Sequence, residues 1–401
     1  MTRVPGVTDA TSSDGGPTSA PGPAPDEVVV AALSGLPAMG PARLAALLGA
    51  FSPERAWAEV VAGRGASHPC MAGVLGRSAS ALARMWARAA ADVDVDEVAR
   101  RHRAAGVRLR LRGQAGFPER LAADPDPPQV LCLAGRDDAV SVPVVAIVGT
   151  RACTADGRET AYALGRDLAA LGVAVVSGLA RGIDGAAHAG ALSAEDGAPP
   201  IAVVATGLDV VYPSCHARLW VAVRERGLIL CEAPLGTRPE RWRFPARNRL
   251  IAGLADAVVV VESHATGGSL HTVDAAVERA VPVLAVPGPV RSPASAGTNG
   301  LLAERAIPCC GVDDVLVALG LEGAVPRRAG PPGQRRPVPA EADRVVLEAV
   351  GWSPTSTEAV LARTGLGPPA AAAALGRLCV DRWIRAEGGW WSRMPEGGGA
   401  L

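Results

Sequence analysis

The chain has 401 residues, enough for two or three domains and at least one sizeable core. Hydrophobic residues make up 49% of it and aromatics only 3%, so the core must be built mainly from Ala, Val and Leu. The 40 basic and 40 acidic residues cancel, which excludes global charge as a reason to bind nucleic acid and leaves only local clustering. The sequence contains no lysine, so every such cation is a planar, multidentate guanidinium.

No apolar run reaches the length of a membrane span, and the opening MTRVPGVTDATSSDGG lacks the apolar stretch of a signal peptide. A cytoplasmic protein with no membrane attachment is expected. The cysteines at 70, 132, 153, 215, 231, 309, 310 and 379 form no CxxC pair, and no histidine stands at ligand-like spacing from two of them. Reduced thiols are expected, with no metal and no cofactor.

Residues 1–26 are rich in Gly, Pro, Ser and Thr and read as a disordered tail. Over 27–106 apolar residues recur three and four apart, in PARLAALLGAF and ALARMWARAAADV among others, which predicts a small helical domain. Gly40-Pro41 ahead of a helix gives it a helix-hairpin-helix or SAM-like cast.

The pattern changes over 107–321. VPVVAIVG, VAVVSGL, IAVVAT, LILCE, DAVVVVES and VPVLAVPG are continuous Val-rich runs, as strands of a parallel sheet read when both faces are covered. Helical stretches such as DGRETAYALGRDLAALG alternate with them. This predicts an α/β fold: an extended Rossmann-like, doubly wound parallel sheet. Residues 322–340 form a Pro/Gly/Arg linker. Over 341–395 the sequence reads as three helices and a hairpin, the outline of a winged helix, with a capping box at Thr355–Glu358 and a tight turn at Gly388-Gly389.

Ligands of open parallel sheets bind beyond the carboxyl ends of the strands. There the first strand ends in Gly149-Thr150-Arg151, the second in Ser177-Gly178 with Arg181-Gly182-Ile183-Asp184 following, and the third in Thr206-Gly207-Leu208-Asp209. The fifth ends in Glu262, followed by Thr266-Gly267-Gly268-Ser269. Glycine permits close backbone approach, helix N-termini offer N–H groups, and Arg151 and Arg181 add charge-assisted contacts; the combination suits phosphate. Between the fourth and fifth strands, RPERWRFPARNR (238–249) packs five arginines against one acid, with Trp242 and Phe244 interleaved. Guanidinium groups for phosphates and an aromatic for a base face are what an unpaired strand requires.

No GxGxxG follows the first strand, and neither a Walker A motif nor a G-x-S-x-G elbow occurs. Ser177 has no evident His/Asp partners, and His188 in AAHAGAL reads as a core or capping histidine. Nothing reads as a hydrolase site.

Together, Gly149-Thr150-Arg151, SGLARGIDGAAHAGAL (177–192), TGLDVVYP (206–213), FPARNRLIAGL (244–254), TGGSLHTV (266–273) and AVPGPVRSPASAGTNGLL (285–302) resemble the DprA/Smf family. The resemblance covers roughly 107–318. It implies a non-enzymatic protein that binds single-stranded DNA, often as a homodimer, and helps load the RecA recombinase in natural transformation or recombination. By position it implies a phosphate pocket of Gly149, Thr150, Arg151, Ser177, Gly178, Arg181 and Gly182, with Phe244, Arg247, Asn248 and Arg249 from the arginine segment and Gly268 and Ser269 from the later turn. The sequence departs from the family pattern at Cys231-Glu232, where Ser-Glu is usual, and at Trp242-Arg243, where Gly-Asn is common. The family's basic lysines are also absent.

Two other readings compete. A Rossmann-type nucleotide phosphoribohydrolase would need a PGGxGTxxE signature, and PGPVRSPASAGTNG lacks its glutamate. A transcription regulator rests only on the winged helix, whose expected recognition helix, PPAAAAALGRLCV, offers Arg377 and a row of alanines where base readout needs several polar side chains.

Overall fold

The computed structural model describes residues 25–75, 79–322, 337–352 and 354–394. The predicted N-terminal tail up to residue 24, most of the 322–340 linker and residues 395–401 lie outside the described residues.

Six helices come first: α1 (Pro25–Ser34), α2 (Pro41–Ala50), α3 (Pro53–Val61), α4 (Ala72–Leu75), α5 (Ala79–Ala91) and α6 (Val95–Ala104). Proline opens α2 and α3, where its missing N–H costs nothing. Asp94 caps α6 by accepting from the N–H groups of Asp96 and Glu97. These helices do not close around a core of their own. Leu33, Leu47, Met71 and Trp86 share one apolar cluster with Leu109, Cys132, Ile229 and Cys231 of the sheet behind them.

The α/β body follows as β1 (Arg108–Leu111), α7 (Glu119–Ala122), β2 (Val130–Gly135), β3 (Val144–Val148), α8 (Ala155–Ala170), β4 (Ala174–Ser177) and α9 (Ile183–Ser193). It continues with β5 (Ile201–Val203), α10 (Ala217–Arg226), β6 (Leu228–Cys231), α11 (Arg243–Leu254), β7 (Ala257–Val260), α12 (Leu270–Glu278), β8 (Val283–Ala285), α13 (Ala296–Glu304), β9 (Ile307–Pro308) and α14 (Val312–Ala318). They build a nine-stranded sheet in the order β1-β2-β6-β5-β4-β3-β7-β8-β9. The strands from β3 to β9 pair in parallel, and β1 and β2 run antiparallel at one edge. The sheet is thus Rossmann-like, as the Val-rich runs predict, with a mixed edge that they do not.

Alternation decides which helices cover which face. Val144, Ala146 and Val148 of β3 meet Leu250, Ile251 and Leu254 of α11 and Val273 of α12. Val145 and Ile147 meet Leu164 and Leu168 of α8 and Ala187 of α9 on the opposite face. The chain steps outward from β3 through β4, β5 and β6, then returns to the other side of β3 with β7. The strand-end crevice therefore opens at the β3/β7 junction.

Past the linker, α15 (Glu341–Ala349), β10 (Thr355–Ser356), α16 (Thr357–Thr364), α17 (Pro368–Val380), β11 (Ile384–Glu387) and β12 (Trp390–Arg393) form a winged helix around Val346, Val350, Val360, Leu375, Leu378 and Ile384. Its sheet has the order β10-β12-β11, one strand more than the predicted hairpin. Ser356, not Thr355, caps α16, accepting from Ala359 N–H, because Thr355 Oγ1 accepts from Gly351 N–H. Gly388 and Gly389 turn the β11–β12 hairpin at φ +58° and +86°. Arg385 of the wing reaches Asp156 of α8 at 2.6 Å.

Candidate functional site

The turns after β3, β4 and β7 emerge on one rim of the sheet. In the first, Thr150 N–H donates to the Glu262 carbonyl at 2.7 Å, which ties it to the third. In the second, Gly178 N–H donates to Asp184 Oδ2 at 3.1 Å. Gly182 sits at φ +79° and caps α9; a Cβ there would stand 2.3 Å from the Thr150 carbonyl oxygen. Only glycine lets these two turns close on each other.

Beside them, between the β3 turn, the start of α11 and the turn before α12, lies a cleft of about 770 Å³. Of the residues expected from sequence, it brings together Gly149, Thr150, Arg151, Phe244, Arg247, Asn248, Gly268 and Ser269. A smaller pocket of about 40 Å³ adjoins it, where Gly178 and Arg181 meet the same Arg151, Phe244 and Arg247. Arg151, Arg181 and Arg247 therefore face one continuous depression.

The arginine-rich segment is not a loop. From Arg243 it is helix α11, and helical spacing sorts its residues. Phe244, Arg247, Asn248 and Ile251 face the cleft. Arg249 points away: its guanidinium reaches Glu232 at 2.6 Å and Asp126 at 3.0 Å, so it serves as an internal strut. Ser177 is likewise withdrawn, fully buried with its hydroxyl donating to the Ile147 carbonyl at 2.6 Å. Gly182 shapes the rim without lining the cleft.

Arg247 is the unusual group. It is only 7% exposed, and its Nη1 donates to the Val203 carbonyl at 2.7 Å. Burial pulls its guanidinium down to about 10, against the attraction of nearby Asp184. Burial raises the Asp184 carboxyl, and Arg247 opposes the rise. The Nε of Arg247 is buried without a hydrogen-bond partner among the described residues. A desolvated cation at the wall of a cleft attracts an anion more strongly than an exposed one.

Above it, the Arg151 guanidinium lies 5.0 Å from the Phe244 ring centroid, and Tyr212 lies 5.6 Å from the same ring at 47°. Asn248 Nδ2 donates to the Gly268 carbonyl at 3.4 Å, joining α11 to the turn before α12. That turn is open, since a Cβ at Gly268 would meet nothing within 4 Å.

One expected donor set is already used. Thr154 N–H and Oγ1 donate to Glu262 at 2.9 and 2.6 Å, so a carboxylate of the chain itself occupies the N-terminus of α8. The cleft is also lined by Tyr212 and Arg241, which the strand-end and arginine-cluster readings contain without assigning them to the pocket, and by His264 and His271, which the sequence does not single out. Tyr212 was legible as the end of TGLDVVYP, and Arg241 belongs to the arginine cluster. The two histidines carried no signal beyond flanking TGGS. His188 is a core histidine: fully buried, with Nε2 3.0 Å from the Ile201 carbonyl. Among the described residues no group of three or more His, Cys, Asp or Glu side chains is placed to hold a metal, and no helix is long and apolar enough to cross a membrane.

Comparison with known proteins places this arrangement. A family model described as DNA recombination-mediator protein A matches residues 108–320, and one described as the DprA winged helix domain matches residues 330–389. A Mycobacterium tuberculosis protein that carries the DprA name is 39% identical over 265 residues, covering 66% of this chain and 68% of that protein. The protein Smf of Escherichia coli is 34% identical over 287 residues, covering 69% of this chain and 75% of its own. Among solved structures, DNA processing protein A of Streptococcus pneumoniae superposes with a TM-score of 0.60 at 30% identity, over 73% of this chain and 97% of that one. With a family model spanning more than half of its length and relatives matched over most of theirs, this chain belongs to the DNA recombination-mediator protein A (DprA/Smf) family.

Proposed function

We propose that the rim cleft binds single-stranded DNA without cleaving it. The observation that carries this reading is the convergence of Arg151, Arg181 and Arg247 around the Phe244 ring. Arg151 and Arg181 are exposed and supply mobile charge for phosphates; Arg247 supplies a fixed, desolvated one. The open turn at Gly268-Ser269 presents backbone to a further phosphate, and Phe244 with Tyr212 offers a face on which an unpaired base can stack. Gly149 and Thr150 floor the cleft, Asn248 braces it, and Ser177, Gly178, Gly182 and Arg249 hold its shape.

Family membership supports the further reading that the bound strand is handed to RecA during transformation or recombination, with the chain acting as a homodimer. In the winged helix, Arg377 is held by Asp343 at 2.6 Å, leaving a small-residue face on α17. We assign it protein contact in preference to base readout.

The test is oligo(dT) binding over a salt series by the wild type and by an Arg151→Glu/Arg181→Glu double variant, with duplex DNA as competitor. The reading requires preference for the single strand, a steep salt dependence and a large loss in the variant. Equal affinity for duplex would remove it, and release of free base from nucleoside monophosphates would favour the phosphoribohydrolase alternative.

A further inference from the structure

Away from the cleft, on the face covered by the N-terminal helices, two cysteines stand opposite each other. Cys132 of β2 and Cys231 of β6 are direct register partners in an antiparallel pair. Both side chains enter the same apolar cluster, and both thiols are free. Directly opposed residues of antiparallel strands have Cα atoms about 4.5–5.5 Å apart, inside the span of roughly 4.4–6.8 Å that a disulfide bridges. The register thus holds the two residues within bridging distance.

A third group completes the cluster. His102 is the one buried residue of α6. Its Nδ1 lies 2.8 Å from the Val98 carbonyl, an acceptor, so Nδ1 carries the proton and Nε2 is the basic nitrogen. That Nε2 is buried beside the Cys132 thiol. The Cys231 thiol and the His102 ring beside it hold the Cys132 thiol down to about 6, against the effect of burial. Burial pushes the Cys231 thiol up, and the neighbouring Cys132 sulfur adds to the rise. One sulfur is thus disposed to be the nucleophile and the other to stay protonated.

We propose that Cys132 and Cys231 are an oxidation site: a dithiol that hydrogen peroxide closes to a reversible cross-strand disulfide, with His102 as the base. The Cys132 thiolate, its proton taken by His102, attacks a peroxide oxygen; the O–O bond breaks, leaving a sulfenic acid on Cys132 and releasing water. The Cys231 sulfur then attacks the Cys132 sulfur, the S–O bond breaks, and its proton leaves with the hydroxide as a second water. Two thiols are oxidised, one peroxide is reduced, and dithiothreitol reverses the change. The pair lies under the helical layer that shares its apolar cluster, so peroxide reaches it through local opening of that layer, in which α6 is the most solvent-facing helix beside His102.

The experiment treats the full chain with graded hydrogen peroxide, traps remaining thiols with N-ethylmaleimide in denaturant, and maps the peptides by mass spectrometry. Exposed Cys215 and Cys310 serve as controls. A linked Cys132–Cys231 peptide pair is expected, lost on reduction and absent in Cys132→Ser. Its rate should rise with pH around 6, well below the range of an ordinary thiol near 8.5, and fall about tenfold in His102→Gln. Complete maleimide labelling of both residues after Cys215 and Cys310 have been oxidised would overturn the proposal. A wild-type rate that rises only near pH 8.5 would overturn the assignment of Cys132 as the activated thiol, whether or not the variant folds.

Discussion

A Cβ at position 178 would stand 1.8 Å from Nη1 of Arg247: the glycine is the space that the buried guanidinium occupies. Gly178→Ala must therefore displace Arg247 and break its bond to the Val203 carbonyl. The expected outcome is a stability loss of about 1–3 kcal/mol in urea unfolding, with oligo(dT) affinity reduced tenfold or more. An unchanged affinity would separate Arg247 from binding.

Arg151 and Arg181 are exposed, so removing them should leave the fold intact and act on the ligand alone. Each alanine substitution is expected to lower the slope of log affinity against log salt by about 0.7, the single-strand value for one phosphate contact. Phe244→Ala should instead weaken binding by about 1–3 kcal/mol with little change in slope, because stacking is not ionic. Filter binding or anisotropy over a salt series reads both.

Arg249 carries the opposite expectation. It holds Glu232, whose carboxyl burial drives upward and Arg249 pulls back. Arg249→Ala leaves a buried carboxyl without its partner, at a cost of about 3 kcal/mol. With the pull removed, the folded carboxyl titrates still further above its unfolded value, so the variant should regain stability as pH falls and lose it as pH rises. Thermal melts across pH 4–8 check the sign.

His188 sets an acid limit on the fold. Burial holds its imidazole down to about 4, against an ordinary value of 6.5. Between these values the unfolded chain binds a proton that the folded chain refuses, so stability declines as pH drops from about 6.5 to about 4 and the decline then levels off. The shift corresponds to about 3 kcal/mol. His188→Gln should flatten that part of the stability profile, measured by urea unfolding at each pH.

Much of this is legible in the sequence alone. The six Val-rich runs declared themselves because strands covered on both faces need apolar residues at every position. Strand β1 did not, since Arg108, Leu109, Arg110 and Leu111 alternate like a one-sided strand, and β9 is two residues long. Strand β2 carries an apolar run of the same kind and could have been found by it. At the site, the glycine turns were readable because their spacing from the strands is fixed. The roles within RPERWRFPARNR were not. Arg247 and Arg249 look equivalent in a string, and only the helical turn beginning at Arg243 sends one to the cleft and the other to Glu232.

The two ends of the chain differ in how far they can be separated from its middle. The winged helix closes on its own apolar centre, whereas the first six helices complete one that the sheet has only half built. A protein shortened before α15 should stay soluble and keep its cleft. One that starts at Val107 would strip the N-terminal helices from Leu109 and Cys132 and should aggregate, so a soluble minimal fragment is expected to begin at α1.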